Sequence, residues 1–460
     1  MTTRREFLRA AGLYGAGFMG LRALVHPAFA QKSSSRRAAG FGPLSVSGAG
    51  KMQLPQGFRS VAFSYHGEEM DDGLLVPGRH DGMAAFAGPD GRVILVRNHE
   101  LESAWVKDSP FGRNAERLDR VPADRIYDRG GGVLPCLGGT TTLVFDPRSQ
   151  KLERHFLSLV GTQRNCAGGP TPWGTWITCE EVNLEPEPDA EKAHGFNFEV
   201  TPSTEPGLVD PVPLKAMGRF RHEAVAVDPR SGCVYETEDL GDGLLYRFVP
   251  KTPGRLAEGG RLQALKLRGN RRADTRNWPG MEEFPIGEPQ PVEWVDLDDV
   301  EDPQNTLRKR GAAAGAAVFA RGEGAWWGRD SAYFAMTNGG RKTFGQIFRY
   351  QPSPYEGTER EGEQPGFLEL FAEPNDTELL RNCDNVTVAP WGDLILCEDT
   401  SGHCRLVGVT PEGGFYVLAE MEEEEVELAG ACFSPDGSTL FVNVQRPGYT
   451  LAITGPWPKA

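Results

Sequence analysis

"RNCAGGPTPWGTWITCEE" (Arg164–Glu181) and "RNCDNVTVAPWGDLILCED" (Arg381–Asp399) repeat one pattern about 200 residues apart. Each opens Arg-Asn-Cys, turns at Pro-Trp-Gly and closes on Cys-Glu-acid. Two short apolar runs around a Pro/Gly turn spell a β-hairpin. The pattern leads to four further units, giving six in all: one from Asp81 to Glu100, one from His222 to Asp239, one from Arg321 to Gly340 and one from Ala429 to Gln445. Six radial copies of a β unit predict an all-β chain folded as a six-bladed β-propeller with inserted loops and short helices.

Spacing carries the argument toward a site. Cys166 to Glu180 and Asp384 to Glu398 each span 14 residues, and Glu223 to Glu238 and Glu323 to Asn338 each span 15. The start of the first strand and the end of the second lie on the same side of a hairpin. The polar ends of all units therefore meet at one mouth of the central channel. The groups expected there are Asn98, Glu100, Cys166, Glu180, Glu181, Glu223, Glu238, Asp239, Arg321, Glu323, Asn338, Asp384, Asn385, Glu398 and Asp399. Carboxylates crowded in this way repel one another unless cations hold them. Oxygen donors suit calcium or magnesium, and a thiolate among them suits a transition metal such as iron. Histidine is scarce, with only His99 and His222 nearby, which argues against a His-rich zinc site.

The chain has 460 residues, a formal charge of −15, 39% hydrophobic residues and 57 glycines. An acidic chain without a basic stripe is unsuited to nucleic acid. Residues 1–30 read as a twin-arginine export signal. Arg4-Arg5 precede Phe7-Leu8, and Ala28-Phe29-Ala30 is a small-x-small cleavage site. The expected partner is the twin-arginine export machinery, and the expected location is the periplasm or the medium. Residues 31–460 are expected to form one domain with no stable membrane insertion, acting as a monomer.

Eight cysteines in an exported chain allow disulfides. Folding before export takes place in reducing conditions, however, and Cys136, Cys233, Cys397 and Cys432 fit buried core positions. Cys166 and Cys383 belong to opposed blades, too far apart for the roughly 7 Å limit between Cα atoms.

These segments resemble the PhoX alkaline phosphatase family, most specifically in Asn-Cys-x-Gly-Gly-x-Thr-Pro-Trp-Gly-Thr from Asn165. Further matches are "VPGRHDGMAAF" from Val76, "GGTTTLVFD" from Gly138, "RFRHEAVAVDP" from Arg219 and Arg321-Gly322-Glu323. The resemblance implies an exported six-bladed enzyme that hydrolyses small-molecule phosphate monoesters with a two-iron centre (Fe3+) and calcium ions (Ca2+). It implies that Cys166, Glu223 and Glu323 hold iron and that Arg321 makes a bidentate contact to phosphate. Glu180, Glu181, Glu238, Asp239, Asp384, Glu398 and Asp399 follow as calcium ligands by position. The chain departs from the family in reading Arg-Gly-Glu-Gly at 321–324 where Arg-Pro-Glu-Trp is usual. Two alternatives stand beside this: a calcium-dependent propeller hydrolase of lactones or phosphotriesters, which needs no Cys ligand, and a non-catalytic ligand-binding propeller.

Overall fold

The paired Pro-Trp-Gly segments close hairpins in the computed structural model, which describes residues 36–132 and 134–459. Gly174 and Gly392 take φ of +85° and +103°, a region glycine enters without steric cost. The turn amides satisfy themselves locally, Thr171 N–H on Thr175 O at 2.8 Å and Ala389 N–H on Asp393 O at 2.7 Å.

Six blades follow in chain order. Blade one comprises His80–Ala87, Val93–His99, Gly138–Asp146 and Lys151–Thr162. Blade two comprises Asn165–Pro170, Trp176–Glu180 and Asn197–Val200. Blade three comprises His222–Val227, Val234–Glu238, Leu245–Pro250 and Gly260–Leu267. Blade four comprises Gly322–Trp327, Ala332–Met336, Gln346–Gln351 and Phe367–Ala372. Blade five comprises Cys383–Val388, Leu394–Glu398, His403–Val409 and Gly414–Glu424. Blade six comprises Leu428–Phe433, Thr439–Val444 and Tyr449–Thr454, and takes its outer strand, Arg59–Phe63, from the N-terminal side. That last pairing closes the ring, because a strand from the N-terminal side completes the blade built by the C-terminal strands.

The inner strands contact one another in sequence around the axis. Small residues let them approach: Gly82, Ala167, Ala224, Gly324 and Ala431 crowd the axis beside Trp176 and Trp326. The void left among them is about 10 Å³, room for one water at most. The expected open channel is therefore a closed floor, with a cavity on one side of it.

The insertions carry regular structure of their own. Residues 254–312 supply the outer strand of blade three, and Gln290–Asp296 then pairs with the outer strands of blades three and four, joining them into one sheet. The same insertion ends in the helix Leu307–Ala314. Asn183–Pro206 contains the third strand of blade two. Leu101–Gly132 forms short 3-10 turns. All eight cysteines are free thiols, and Cys136, Cys233, Cys397 and Cys432 are buried as expected. The export signal lies outside the described residues. Among the described residues, no helix is long and apolar enough to cross a membrane.

Candidate metal centre

Every inner strand carries the same irregularity. Three residue steps on the inner strand face two on its partner: His80 to Met83 against His99 to Arg97, and Cys383 to Val386 against Glu398 to Leu396. The remaining four blades repeat it. A β-bulge of this kind re-aims a side chain that a flat ladder would send elsewhere. The first bulged residue in blades one to six is Asp81, Cys166, Glu223, Glu323, Asp384 and Gly430. Two residues earlier, Arg79, Arg164, Arg321 and Asn382 hold φ between +45° and +51°. Non-glycine residues rarely adopt this conformation, at a cost of about 1 kcal/mol or more each. A strained turn feeding a bulge is thus built four times over.

Side chains of the preceding blade fix the bulges. Asn98 Nδ2 donates to the carbonyls of Cys166 and Ala167 at 3.0 and 2.7 Å. Thr237 Oγ1 donates to Glu323 O at 2.6 Å, and Asn443 Nδ2 to Asp81 O at 2.5 Å. Asn385 Nδ2 donates to Asp384 Oδ1 at 2.8 Å while its Oδ1 accepts the Gly430 amide. Gly324 answers the departure from the family pattern. A Cβ there would sit 2.6 Å from Val386 N and 2.7 Å from Asn385 Cα, so the close approach of blade five demands glycine.

Above the closed floor lies a cavity of about 240 Å³. Cys166, Glu181, Glu223, Asp239, Arg321, Glu323, Asp384 and Asp399 all line it, as the sequence predicts, together with Glu100. It also receives Glu427, Arg164, Arg221 and Thr337. Asp81 stands beside it, its Oδ2 3.9 Å from Cys166 Sγ. Sequence reasoning missed Asp81 and Glu427. Arg79-His80-Asp81 matches Arg221-His222-Glu223 and held the signal for the first. Glu427 ends an acidic run with no counterpart in other blades.

Three expected ligands do not face the cavity. Glu180, Glu238 and Glu398 are buried on the other side of their strands. Glu180 accepts the amides of Gln163, Gly195 and Phe196 and an N–H of His194. Glu238 accepts from the Leu244 amide and the Tyr246 hydroxyl, and its burial pushes its pKa up to about 7. Glu398 is gripped by Arg405 and accepts the Arg381 amide. Their lone pairs are committed to the fold, so their assignment as metal ligands is corrected. Asn98 and Asn338 are also absent from the cavity wall. His99 is buried between Gly78 O and Thr141, and His222 is stacked on Phe220.

The cavity is short of positive charge. Eight carboxyl groups and one thiol face three guanidinium groups. Desolvation and neighbouring acids push Asp81, Glu223, Glu323 and Glu427 well above the usual carboxylate range, and Asp384 up to about 8. Burial likewise pushes the Cys166 thiol up. Both oxygens of Glu223 are buried without any hydrogen-bond partner. Donor atoms cluster within 4.8 Å of one another in three groups: Glu100, Cys166 and Glu181; Glu223, Glu323 and Asp384; and Asp384, Asp399 and Glu427. A buried, unpartnered carboxylate amid such clusters is a donor set that fits a cation. Arg321 spends its fork on Asp239, at 2.7 and 2.9 Å, and its Nη2 also reaches Glu323 at 2.9 Å. The bidentate edge expected for phosphate is thus turned to protein, and both oxygens of Asp239, expected as a calcium ligand, are committed to Arg321 instead.

The family model described as "Alkaline phosphatase PhoX" matches residues 39–448. The chain belongs to the PhoX alkaline phosphatase family. Its activity is therefore metal-dependent phosphoester hydrolysis. The PhoX of Pseudomonas fluorescens, solved in complex with vanadate, a transition-state analogue, is 18% identical, with a TM-score of 0.64 over 92% of this chain and 98% of that one. That likeness shows the shared propeller. A gluconolactonase of Xanthomonas campestris (11% identical, TM-score 0.41, 90% and 98% covered) and a virginiamycin B lyase from Staphylococcus aureus (9%, 0.35, 86% and 99%) are more distant. Likenesses at that level carry no functional weight. No curated protein matches the chain.

Proposed function

We propose that this PhoX-family enzyme hydrolyses small-molecule phosphate monoesters in the cavity above the propeller floor, as an exported monomer. Cys166, Glu223 and Glu323 are the proposed ligands of iron, and Glu181, Asp384, Asp399, Glu100, Glu427 and Asp81 the proposed ligands of calcium. The observation that carries this is Glu223, wholly buried with both oxygens unpartnered, beside a thiol among carboxylates. A soft sulfur donor favours iron, and the hard oxygen donors favour calcium. Family members are typically exported, and the sequence supplies a twin-arginine signal for that route.

Bound there, the cations supply Lewis acidity toward a phosphoryl oxygen and acidify a water molecule. The chain's own residues do the positioning. Asp239 holds the planar guanidinium of Arg321 at the cavity wall, and Nη1 remains to meet a phosphate oxygen. The bulges hold the acids in place before any ligand arrives, so no reorganisation is needed as charge spreads over the phosphoryl oxygens.

The test is metal analysis of protein exported by its native route, paired with an aryl phosphate assay with and without a calcium chelator. Iron in the protein and chelator-sensitive turnover are expected. A Cys166→Ala variant that keeps iron and full activity would sink the thiolate assignment. Calcium alone, with lactone turnover, would sink the phosphatase assignment.

A further inference from the structure

Arg164, Arg221 and Arg321 occupy one position in consecutive blades. Each stands two residues before the bulged Cys166, Glu223 or Glu323. Each is gripped by an acid of the preceding blade: Arg164 by Glu100 at 2.5 Å, Arg221 by Glu181 at 2.6 Å and Arg321 by Asp239 at 2.7 Å. They differ in what remains free. Arg164 is enclosed by Glu100, Glu102 and Glu181. Arg321 spends Nε and Nη2 on Asp239 and Glu323. Arg221 spends Nη2 alone, and its Nε and Nη1 have no acceptor among the described residues. Its side chain is 36% exposed and lines the cavity. Asp239 ties this pair together. Its amide donates to Arg221 O at 3.2 Å while its carboxylate holds Arg321.

We propose that Arg221 is a second phosphate-binding guanidinium and sets the preference for monoesters over diesters. A monoester dianion has three terminal oxygens, whereas a diester has two and one fewer negative charge. One guanidinium on a cation-lined wall serves the oxygens common to both. The extra donors of Arg221 have a partner only in the monoester. Charge-assisted bonds of this kind are the strong ones, and Arg presents them in a fixed plane. The assignment rests on the phosphatase activity and on Arg321 facing the same cavity.

The experiment compares the metal-loaded wild type with R221A and R221K on an aryl phosphate and on a bis-aryl phosphate. It also measures inhibition by inorganic phosphate and metal content. R221A is expected to lower kcat/KM for the monoester about 10- to 100-fold, mainly through KM, the loss that a charged hydrogen bond represents. Phosphate inhibition weakens in parallel, diester turnover changes little, metal content is retained, and R221K recovers part of the loss. An equal fall on both esters, or a fall that tracks lost metal, means that Arg221 only neutralises Glu181 and overturns the proposal. Unchanged monoester kinetics also overturn it. A wild type inert toward both esters overturns the phosphatase reading itself, and this proposal with it.

Discussion

Arg321 grips Asp239 of the neighbouring blade through two bonds, Nε to Oδ1 at 2.7 Å and Nη2 to Oδ2 at 2.9 Å. The pair locks a planar fork that otherwise swings on a flexible stem. Asp239→Asn keeps the shape and removes the charge that holds it. We expect kcat/KM on an aryl phosphate to fall about 10- to 100-fold, the scale of lost orientation and a charged bond. Arg321→Lys is expected to fall at least as far, because an ammonium is a compact point charge on a flexible stem and lacks the planar fork that matches a carboxylate. A fully active R321K would show that the fork is not used.

Asn98 serves the site without touching the cavity. It donates to the Cys166 and Ala167 carbonyls and accepts the Trp176 indole N–H at 2.8 Å. Asn98→Ala leaves two buried carbonyls and one indole unpaired, a cost of about 1–3 kcal/mol per group. A drop in melting temperature is expected, with metal content falling as the Cys166 bulge loosens. Calorimetry and metal analysis of the same sample check both.

Gly324→Ala tests the closed floor. The new methyl meets the backbone of blade five at Val386, Asn385 and Asp384. Backbone cannot step aside as a flexible side chain can, so about 1–3 kcal/mol or more is lost. Asp384 is displaced with it, and phosphatase activity is expected to fall further than stability. An unaffected variant would mean that the inner strands can spread.

His194 sits between Glu180 at 2.7 Å and Asp128 at 3.1 Å, all three fully buried. Glu180 and Asp128 hold the imidazolium charged, raising it to about 12, and Asp128 falls to about 2 as His194 and three backbone amides offset its own desolvation. The raised histidine contributes stability that is complete below its unfolded value near 6.5 and is lost as pH rises through about 12. The lowered aspartate contributes stability above its unfolded value near 3.9, lost as pH falls through about 2. His194→Gln is expected to cost about 3–5 kcal/mol at neutral pH. The wild type's advantage in melting temperature should then shrink from pH 7 to pH 11 and stay level between pH 4.5 and pH 6. A constant gap across the alkaline range would contradict a charged His194.

The repeat made much of this legible. Cys166, Glu223, Glu323 and Asp384 share a phase within their hairpins, and the propeller follows from six such hairpins. The phase alone does not say which of two adjacent acids faces the cavity. Successive strand residues point to opposite sides, so Glu181, Asp239 and Asp399 enter the site while Glu180, Glu238 and Glu398 turn into the blades. The polar pattern alone could not decide this, because buried carboxylates bonded to backbone amides look in sequence like metal ligands. Asp81 stayed hidden because the hairpin of blade one is longer than the others. The closed floor stayed hidden because it depends on how near the inner strands approach.

Metal removal gives the sharpest stability test. Without cations the buried acids keep their protons, and desolvation with neighbouring charges raises Asp384 to about 8 and Glu181 to about 7. Their unfolded values lie near 4. Between these limits the folded, metal-free protein binds more protons than the unfolded chain, so its stability falls as pH rises from about 4 to about 8. Cations reverse the sign, because they bind the ionised carboxylates and compete with protons for them. The chelated protein should therefore melt lower at pH 8 than at pH 5.5. Added calcium should raise the melting temperature more at pH 8 than at pH 5.5. A chelated protein whose stability does not depend on pH over that range would mean that these acids are already neutralised by Arg164, Arg221 and Arg321, and that the cavity needs no cation to fold.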